Sequence, residues 1–357
     1  SDKLVISSTS HLVTTTAGTS NLVLGENAGN SIASGGNYNV LIGDEAGTAI
    51  TTGDFNVAVG FEALKTEDAN GKNIAIGYQA LKVLDAGADG FNTVIGYQAG
   101  VSMNTGAVNT IIGHQAGDAL TTGNNNVAIG HEALGAEIQG DKSVAVGVGA
   151  LQAQSNSSDA DANNTAVGYN AGLSMTTGVN NILVGAQTGD ALTDADFNVA
   201  MGFQALTTDT LGSRSTAIGH HALQTQNFSS ATDSLNTAVG FQSCKSLTTG
   251  VQNTIIGSGA GDALTDAHFN VVVGTDALGA DTLGSRSVAI GRRTLLAQNF
   301  TSATEVYNTV VGFEAGNDIT TGVENTLVGG LAGDALTDAD FNTAIGSKAL
   351  DSDTQGS

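Results

Sequence analysis

Three apolar residues in a row, bracketed by a small amide or hydroxyl residue and a glycine, recur along the whole chain: NVAIG at 126–130, NTAVG at 164–168, SVAIG at 287–291. The closing glycine falls at 25, 43, 60, 77, 96, 113, 130, 147, 168, 185, 202, 219, 240, 257, 274, 291, 312, 329 and 346. These nineteen glycines are mostly 17 residues apart, with a step of 21 after 147, 219 and 291. Three short steps and one long one make 72 residues, and the phrase DALTDADFN at 190–198 returns at 334–342, with DALTDAHFN at 262–270 between them. A short repeat of strand-like content predicts an all-β fold, a parallel β-solenoid in which each repeat is one coil stacked on the next. The expected organisation is a lead-in or cap over 1–20, a single continuous solenoid of about nineteen coils over 21–350, and the start of a truncated coil over 351–357.

Each coil is numbered here with the asparagine at position 1 and the glycine at position 5. Position 1 is Asn in sixteen coils and Ser in three, and stacked asparagines are expected to bond one another and the turn backbone. Position 2 is Val, Ile, Leu or Thr, and position 4 is Ile, Val, Leu or Met throughout, as a short strand requires. Position 8 is Ala in sixteen coils, so that corner has little room. A second short strand is expected after it, as in DALT at 118–121, followed by a turn such as TGNN at 122–125. Position 9 runs Gly, Gly, Leu, Leu, broken only at Cys244, which reads as a small buried stand-in for glycine. Where position 9 is Gly, position 12 is large and apolar (Met103, Leu120, Leu192); where it is Leu, position 12 can be acidic (Glu67, Glu137, Asp209, Asp281). One large filler per coil, from one of two corners, is what close packing predicts.

Position 3 is apolar in every coil, although a strand with one wet face should alternate. Nineteen rungs at about 4.8 Å would form a rod of roughly 90 Å. A stripe that long exceeds what monomers usually expose. Val94, Ile111, Ala128, Ala145, Ala166, Leu183, Ala200, Ala217, Ala238, Ile255, Val272, Ala289, Val310 and Leu327 are therefore expected to form a face covered by further copies of the chain. The alternative is a monomer with a wide two-sided core.

Composition narrows the partners. Thirty-four acids against eleven bases give a net charge of −23, which disfavours nucleic acid. No apolar run approaches a membrane span of about 18 residues or more, and no signal peptide is visible. One cysteine excludes an internal disulfide framework. No nucleophile–base–acid set, zinc spacing or phosphate loop stands out, and the repeats never break as a catalytic solenoid's would, so no catalytic residues and no enzyme are expected.

With these residues in view, SVAVG (143–147), SVAIG (287–291), NTAVG (164–168, 236–240) and NTAIG (342–346) resemble the head repeats of YadA-type trimeric autotransporter adhesins. NTAVGYNAG (164–172) and NVAVGFEAL (56–64) resemble repeat tracts of phage tail-fibre-like proteins, and the likeness extends from about residue 21 to 350. It implies a left-handed parallel β-roll, a homotrimer, and an adhesive or fibre role at a cell or virion surface, outside the cell, facing a glycan or protein receptor. The chain departs from the adhesin pattern in its longer coils, its four-coil rhythm, and the lack of a coiled-coil stalk or membrane anchor. It ends at TQGS in mid-coil, so further sequence is expected to follow.

Several residues invite a site. The acidic phrase supplies Asp190, Asp194 and Asp196, then Asp262 and Asp266, then Asp334, Asp338 and Asp340, and closely spaced carboxylates at a turn can hold calcium. Asp, Asn and Gly are equally ordinary turn formers, and equivalent corners read TTGNNN or TTGDFN without the acids. No cofactor is required, and calcium is the candidate. The aromatics gather at position 6, at the residue just before position 1, and at Phe228 and Phe300; such columns suit either sugar stacking or corner filling. His114 and His131 share the position-6 column and read as corner residues, since two ligands make a poor metal site. Lys72, Lys142, Arg214 and Arg286 precede position 1, with the position-12 acids a few residues earlier, and a local ion pair across the turn is expected. The long coils project variable material in which Asn156, Asn227, Phe228, Asn299 and Phe300 are candidate recognition residues; Asn227 and Asn299 also open N-F-S and N-F-T sequons. The rival function is a ligand-binding solenoid, for calcium-dependent glycan binding or for ice. Position 2 mixes Thr93 and Thr110 with Val127 and Val144, which is not the regular threonine array that ice requires.

Overall fold

The computed structural model describes residues 16–355, so most of the expected lead-in and the last two residues of the truncated coil lie outside the described residues. The chain is all-β, with no helix among the described residues, and its coils stack as a parallel β-solenoid. They fall into two compact units, one of residues up to 149 plus 155–161, the other of 150–154 and 162 onward. The first holds eight three-residue strands, from Leu22–Leu24 to Val144–Val146, and the second holds eleven, from Thr165–Val167 to Thr343–Ile345. Within each unit successive strands pair in parallel with like positions facing, as in Thr110↔Val127, Ile111↔Ala128 and Ile112↔Ile129.

Why the strand stops after three residues is visible in the backbone. The position-5 glycine sits at a φ that side-chain-bearing residues rarely adopt, +145° at Gly113, and a Cβ there would lie 2.3 Å from the carbonyl oxygen of Gly130 one coil on. Left-handed residues then follow at position 7 (Gln115), at position 9 (Gly117) and just before the next asparagine (Asn125). These kinks are why the second strand expected at 118–121 does not form. That stretch is a run of turns which still bonds to the next coil, through the N–H of Ala119 to Gly135 and of Thr121 to Ile138.

The asparagine column behaves as expected. The Asn126 N–H donates to Asn109 Oδ1 at 2.9 Å, and its Nδ2 donates to the Gly140 carbonyl at 2.9 Å, closing the coil's last turn. Asn109 repeats both bonds with Asn92 and Gly123. All are fully buried, so each amide is worth its hydrogen bonds and would be costly without them.

Both filler corners are real. A Cβ on Gly189 would come within 2.8 Å of Leu192 Cδ1 and 2.9 Å of Leu183 Cδ2, so glycine at position 9 is the space that the position-12 leucine fills. In the other coils Leu206, Leu223, Leu278 and Leu295 occupy the interior from position 9, despite left-handed φ of 49–55°. A buried leucine contributes about 1.5–3 kcal/mol, enough to outweigh the strain of that backbone. Cys244 takes glycine's place at φ 51°, buried among apolar neighbours, and burial pushes its thiol pKa far up, away from reactivity.

Candidate interaction surface

Position 3 faces the coil's own interior, which corrects the expected oligomer face. Val94, Ile111, Ala128, Ala145, Ala166, Leu183 and Ala200, and with them Ala217, Ala238, Ile255, Val272, Ala289, Val310 and Leu327, have no exposed surface in a single chain. The alternation predicted for a strand holds, with the opposite sense. Positions 2 and 4 point outward; position 4 is apolar in every coil and position 2 varies between aliphatic residues and Thr, and Ile182 is 44% exposed, Met201 41% and Ile256 40%. Of the large apolar side chains left exposed, all but Val83, Ile138 and Leu350 stand at positions 2, 4 or 6 or just before position 1.

Two columns of rings border this stripe. At position 6 of the first unit, Phe61, Tyr78, Tyr97, His114 and His131 stack in consecutive coils at 5.0–5.4 Å, within 9–19° of parallel. Tyr78, Tyr97 and His114 have a stacked ring on each face, so the inside of this ladder offers no face to a sugar. Just before position 1, bases take turns with rings. The Lys72 ammonium lies 5.0 Å from the Phe91 ring, and the Arg286 guanidinium lies 4.8 Å from Phe269 and 5.8 Å from Tyr307.

Those bases do not pair with the position-12 acids. Lys72 bonds Asp89, Lys142 bonds Asp161 at 2.6 Å, Arg214 bonds Asp233 at 3.0 Å and Arg286 bonds Glu305 at 3.1 Å, each an acid of the following long coil. Glu67, Glu137, Asp209 and Asp281 are instead fully buried. Asp281 accepts the N–H of Gly284 at 3.0 Å and of Phe300 at 3.1 Å, and the Gln298 Nε2 at 2.6 Å. Asp209 repeats the set with Gly212, Phe228 and Gln226. Glu137 accepts from Gly140 and from both the backbone and Nδ2 of Asn156. Glu67 accepts from Asn70 and Ala86. Burial pushes the Glu67 and Asp281 carboxyls above their ordinary range, against these hydrogen bonds. The buried acid is the post around which the following long coil is wound, a role that the local ion-pair reading missed. Its signal was present: every such acid precedes a lengthened coil.

The recognition residues divide accordingly. Asn156, Phe228 and Phe300 are buried, at 7%, 6% and 7% exposure, and they anchor the long coils on those acids. Asn227 and Asn299 are exposed, and their Oδ1 atoms accept the Thr210 and Thr282 hydroxyls. The extra residues fold back as small parallel ladders, Gly212–Ser213 with Thr232–Asp233 and Gly284–Ser285 with Thr304–Glu305.

The acidic phrase serves the turn. Asp196 Oδ1 accepts the Val179 N–H at 2.7 Å and Asp340 Oδ1 the Val323 N–H at 2.8 Å, each seventeen residues back. His268 does the same through Nδ1 for Val251 at 3.1 Å, which explains how histidine can replace aspartate in the middle copy. Asp194 and Asp266 each accept a threonine hydroxyl of the preceding coil at 2.7 Å, and Asp338 accepts that of Thr337. Asp190 bonds the Thr207 hydroxyl, and burial pushes the carboxyls of Asp190, Asp262 and Asp334 up. The proposed calcium ligands therefore do not converge. Among the described residues one group of three acids brings its oxygens within 4.8 Å: buried Glu67 with exposed Asp68 and Asp85. Both Glu67 oxygens already accept backbone N–H groups.

One charged network stands on the surface of the first unit, where Lys65 bonds Glu45 and Glu62, and Lys82 bonds Glu62 at 2.7 Å. The two ammonium groups and Gln79 hold the Glu62 carboxyl down at about 2. No helix among the described residues is long and apolar enough to cross a membrane. Compared with known proteins, the chain matches no family model and no curated sequence, so the reading of this surface rests on its own geometry.

Proposed function

We propose that the chain is a non-catalytic structural and adhesive shaft of a surface adhesin or phage-type fibre, assembled from parallel copies that cover the position-2 and position-4 columns. The observation that supports this reading is the outward position-4 column, apolar in every coil of both units and left half-buried or exposed in a single chain, a contiguous surface of the kind that marks an interaction site. Identical chains in register would set each position-4 aliphatic side chain against its own copy, without a designed partner. Three copies is the number that the resemblance to trimeric adhesin heads implies. A place outside the cell, on a cell or virion surface, goes with that role, and the net charge of −23 keeps such an assembly soluble. Most carboxylates of the acidic phrase, those of Asp190, Asp194, Asp196, Asp266, Asp338 and Asp340, bond threonine hydroxyls or backbone N–H groups, which supports a shaft that needs no calcium.

Light scattering across protein concentration tests the assembly. A molar mass near three times 35.5 kDa is expected. Ile182→Lys combined with Ile256→Lys, two outward positions, should shift the mass towards one chain while the circular dichroism stays that of a β-protein. A wild-type mass of one chain at every concentration overturns the reading.

A further inference from the structure

In the second unit the position-6 column is interrupted. Tyr169, Ala186 and Phe203 follow in consecutive coils, and this is the one place among the described residues where a methyl group stands between two aromatic rings of that column. The coils themselves are tightly stacked there. The Gln187 N–H donates to the Tyr169 carbonyl at 2.8 Å and the Gln204 N–H to the Ala186 carbonyl at 3.1 Å. Two rungs of about 4.8 Å therefore separate the rings, leaving a slot close to 10 Å from ring to ring with Ala186 as its floor. A ring lying in that slot would stand about 5 Å from each wall. That is also the spacing the first unit shows between its own stacked rungs, 5.0–5.4 Å. Tyr169 is 56% exposed, more than any other phenylalanine or tyrosine at this position, as an uncovered face requires.

The geometry points to a binding slot for the ring of a neutral pyranose, held between Tyr169 and Phe203 as the missing rung of the column. A hexose whose hydroxyls are equatorial presents C–H groups on both faces, which suits two aromatic walls, and hydroxyls around its rim. The rim of the slot can meet them. Asn170, Gln187 and Gln204 occupy position 7 beside the three residues, and Gln204 Nε2 donates to Gln187 Oε1 at 3.1 Å. The Gln187 Nε2 and the Asn170 carboxamide make no other hydrogen bond among the described residues, which leaves both donors and acceptors for hydroxyl groups. Neutrality follows from charge: a chain of net −23 repels an acidic sugar, and no base stands at positions 6 or 7 of these three coils.

The slot lies beside the apolar stripe, and its test is made on the full chain in whatever state of assembly it adopts. Cellotetraose, a neutral oligomer of equatorial glucose units, is titrated while the ligand is watched by saturation-transfer NMR. Binding in the millimolar range is expected. Tyr169→Ala and Phe203→Ala should each weaken it about tenfold, the worth of one aromatic contact. Ala186→Phe completes the column, and should abolish binding without lowering the melting temperature. Tyr97→Ala, inside the covered ladder, should leave binding unchanged. No binding to the wild type, binding that survives Ala186→Phe, or equal loss from Tyr97→Ala overturns the assignment. So does a preference for a planar phenol such as 4-nitrophenol over the sugar. Light scattering on the same samples reports the assembly separately, so that the slot and the oligomer can fail independently.

Discussion

Coils with glycine at position 9 and coils with leucine there fill the same interior from opposite corners. In the first kind the chain reaches in from position 12 with Ile50, Met103, Leu120 or Leu192, and glycine leaves the room. In the second the leucine itself reaches in, and position 12, except at Leu84, becomes polar while staying buried: Glu137, Gln154, Asp209, Gln226, Asp281 and Gln298 are all without exposed surface. The acid and the glutamine pair across successive coils, Gln226 to Asp209 and Gln298 to Asp281, both at 2.6 Å. From Gly43 on, coils with glycine or Cys244 at position 9 all have 17 residues, whereas the polar corner carries acceptors that fasten additional chain. The solenoid thus accommodates 21-residue coils without losing register, as Thr216↔Thr237 and Val288↔Thr309 show, with the insertions tied back to buried carboxylates at Phe228 and Phe300.

The sharpest way to break this contrast is Asp281→Ala. It strands the Gly284 and Phe300 N–H groups and the Gln298 amide in a dry corner, and should cost about 3–5 kcal/mol in urea denaturation. Asp281→Asn keeps an acceptor for the backbone and should cost nearer 1 kcal/mol; equal losses from the two would mean that the carboxylate only fills space. Leu192→Ala, in the apolar corner, should cost about 3 kcal/mol from lost burial and cavity. Because nothing long is fastened there, hydrogen exchange should rise in the coils beside it rather than in a loop. Asp196→Ala removes one acceptor of a half-exposed turn and should cost about 1 kcal/mol, and Asp340→His, copying the middle repeat, should cost almost nothing. Loss of calcium binding in place of turn stability in Asp196→Ala would restore the metal reading.

The smallest effect concerns pH, and its sign differs between surface and corner. Glu62 sits at about 2 against an ordinary value of 4.5, so its stabilisation is full above 4.5 and is lost as pH falls towards 2. Asp281 is raised by burial, so its contribution is full below its ordinary 3.8 and is lost as pH rises through the elevated value. Melting temperatures between pH 2 and 6 should therefore lose their acid-side decline in Glu62→Gln and their decline on raising the pH in Asp281→Asn. Identical profiles for the two variants would contradict the opposed signs.

Much of this was legible in the chain itself. The spacing of the glycines set the coil, and the exchange of Gly and Leu at position 9 with the filler at position 12 announced the two corners, because both follow from local sterics and volume. The asparagine column could be foreseen for the same reason, since one side chain in constant register can only repeat one set of bonds. The acidic phrase was harder to read, because Asp builds turns and binds cations with the same oxygens. The histidine in the middle copy was the clue that acceptance of an N–H, rather than charge, was the requirement.

What the sequence could not determine was direction. A strand of three residues, apolar at all of positions 2, 3 and 4, shows that alternate side chains part company but not which of them goes inside. The left-handed residues at position 7, at position 9 and before position 1 turn the chain towards position 3, and that turning alone puts Leu183 in the core and Ile182 in the solvent. The same holds for Phe228 and Phe300, which look like exposed loop residues until the buried acid one coil earlier draws them in. By itself the sequence determined the period, the residue types in register and the volume each coil must fill, because these are local and repeat. Only the tertiary structure decided which apolar column faces water and which ring keeps an open face, because both depend on how one coil closes and what the next coil places above it.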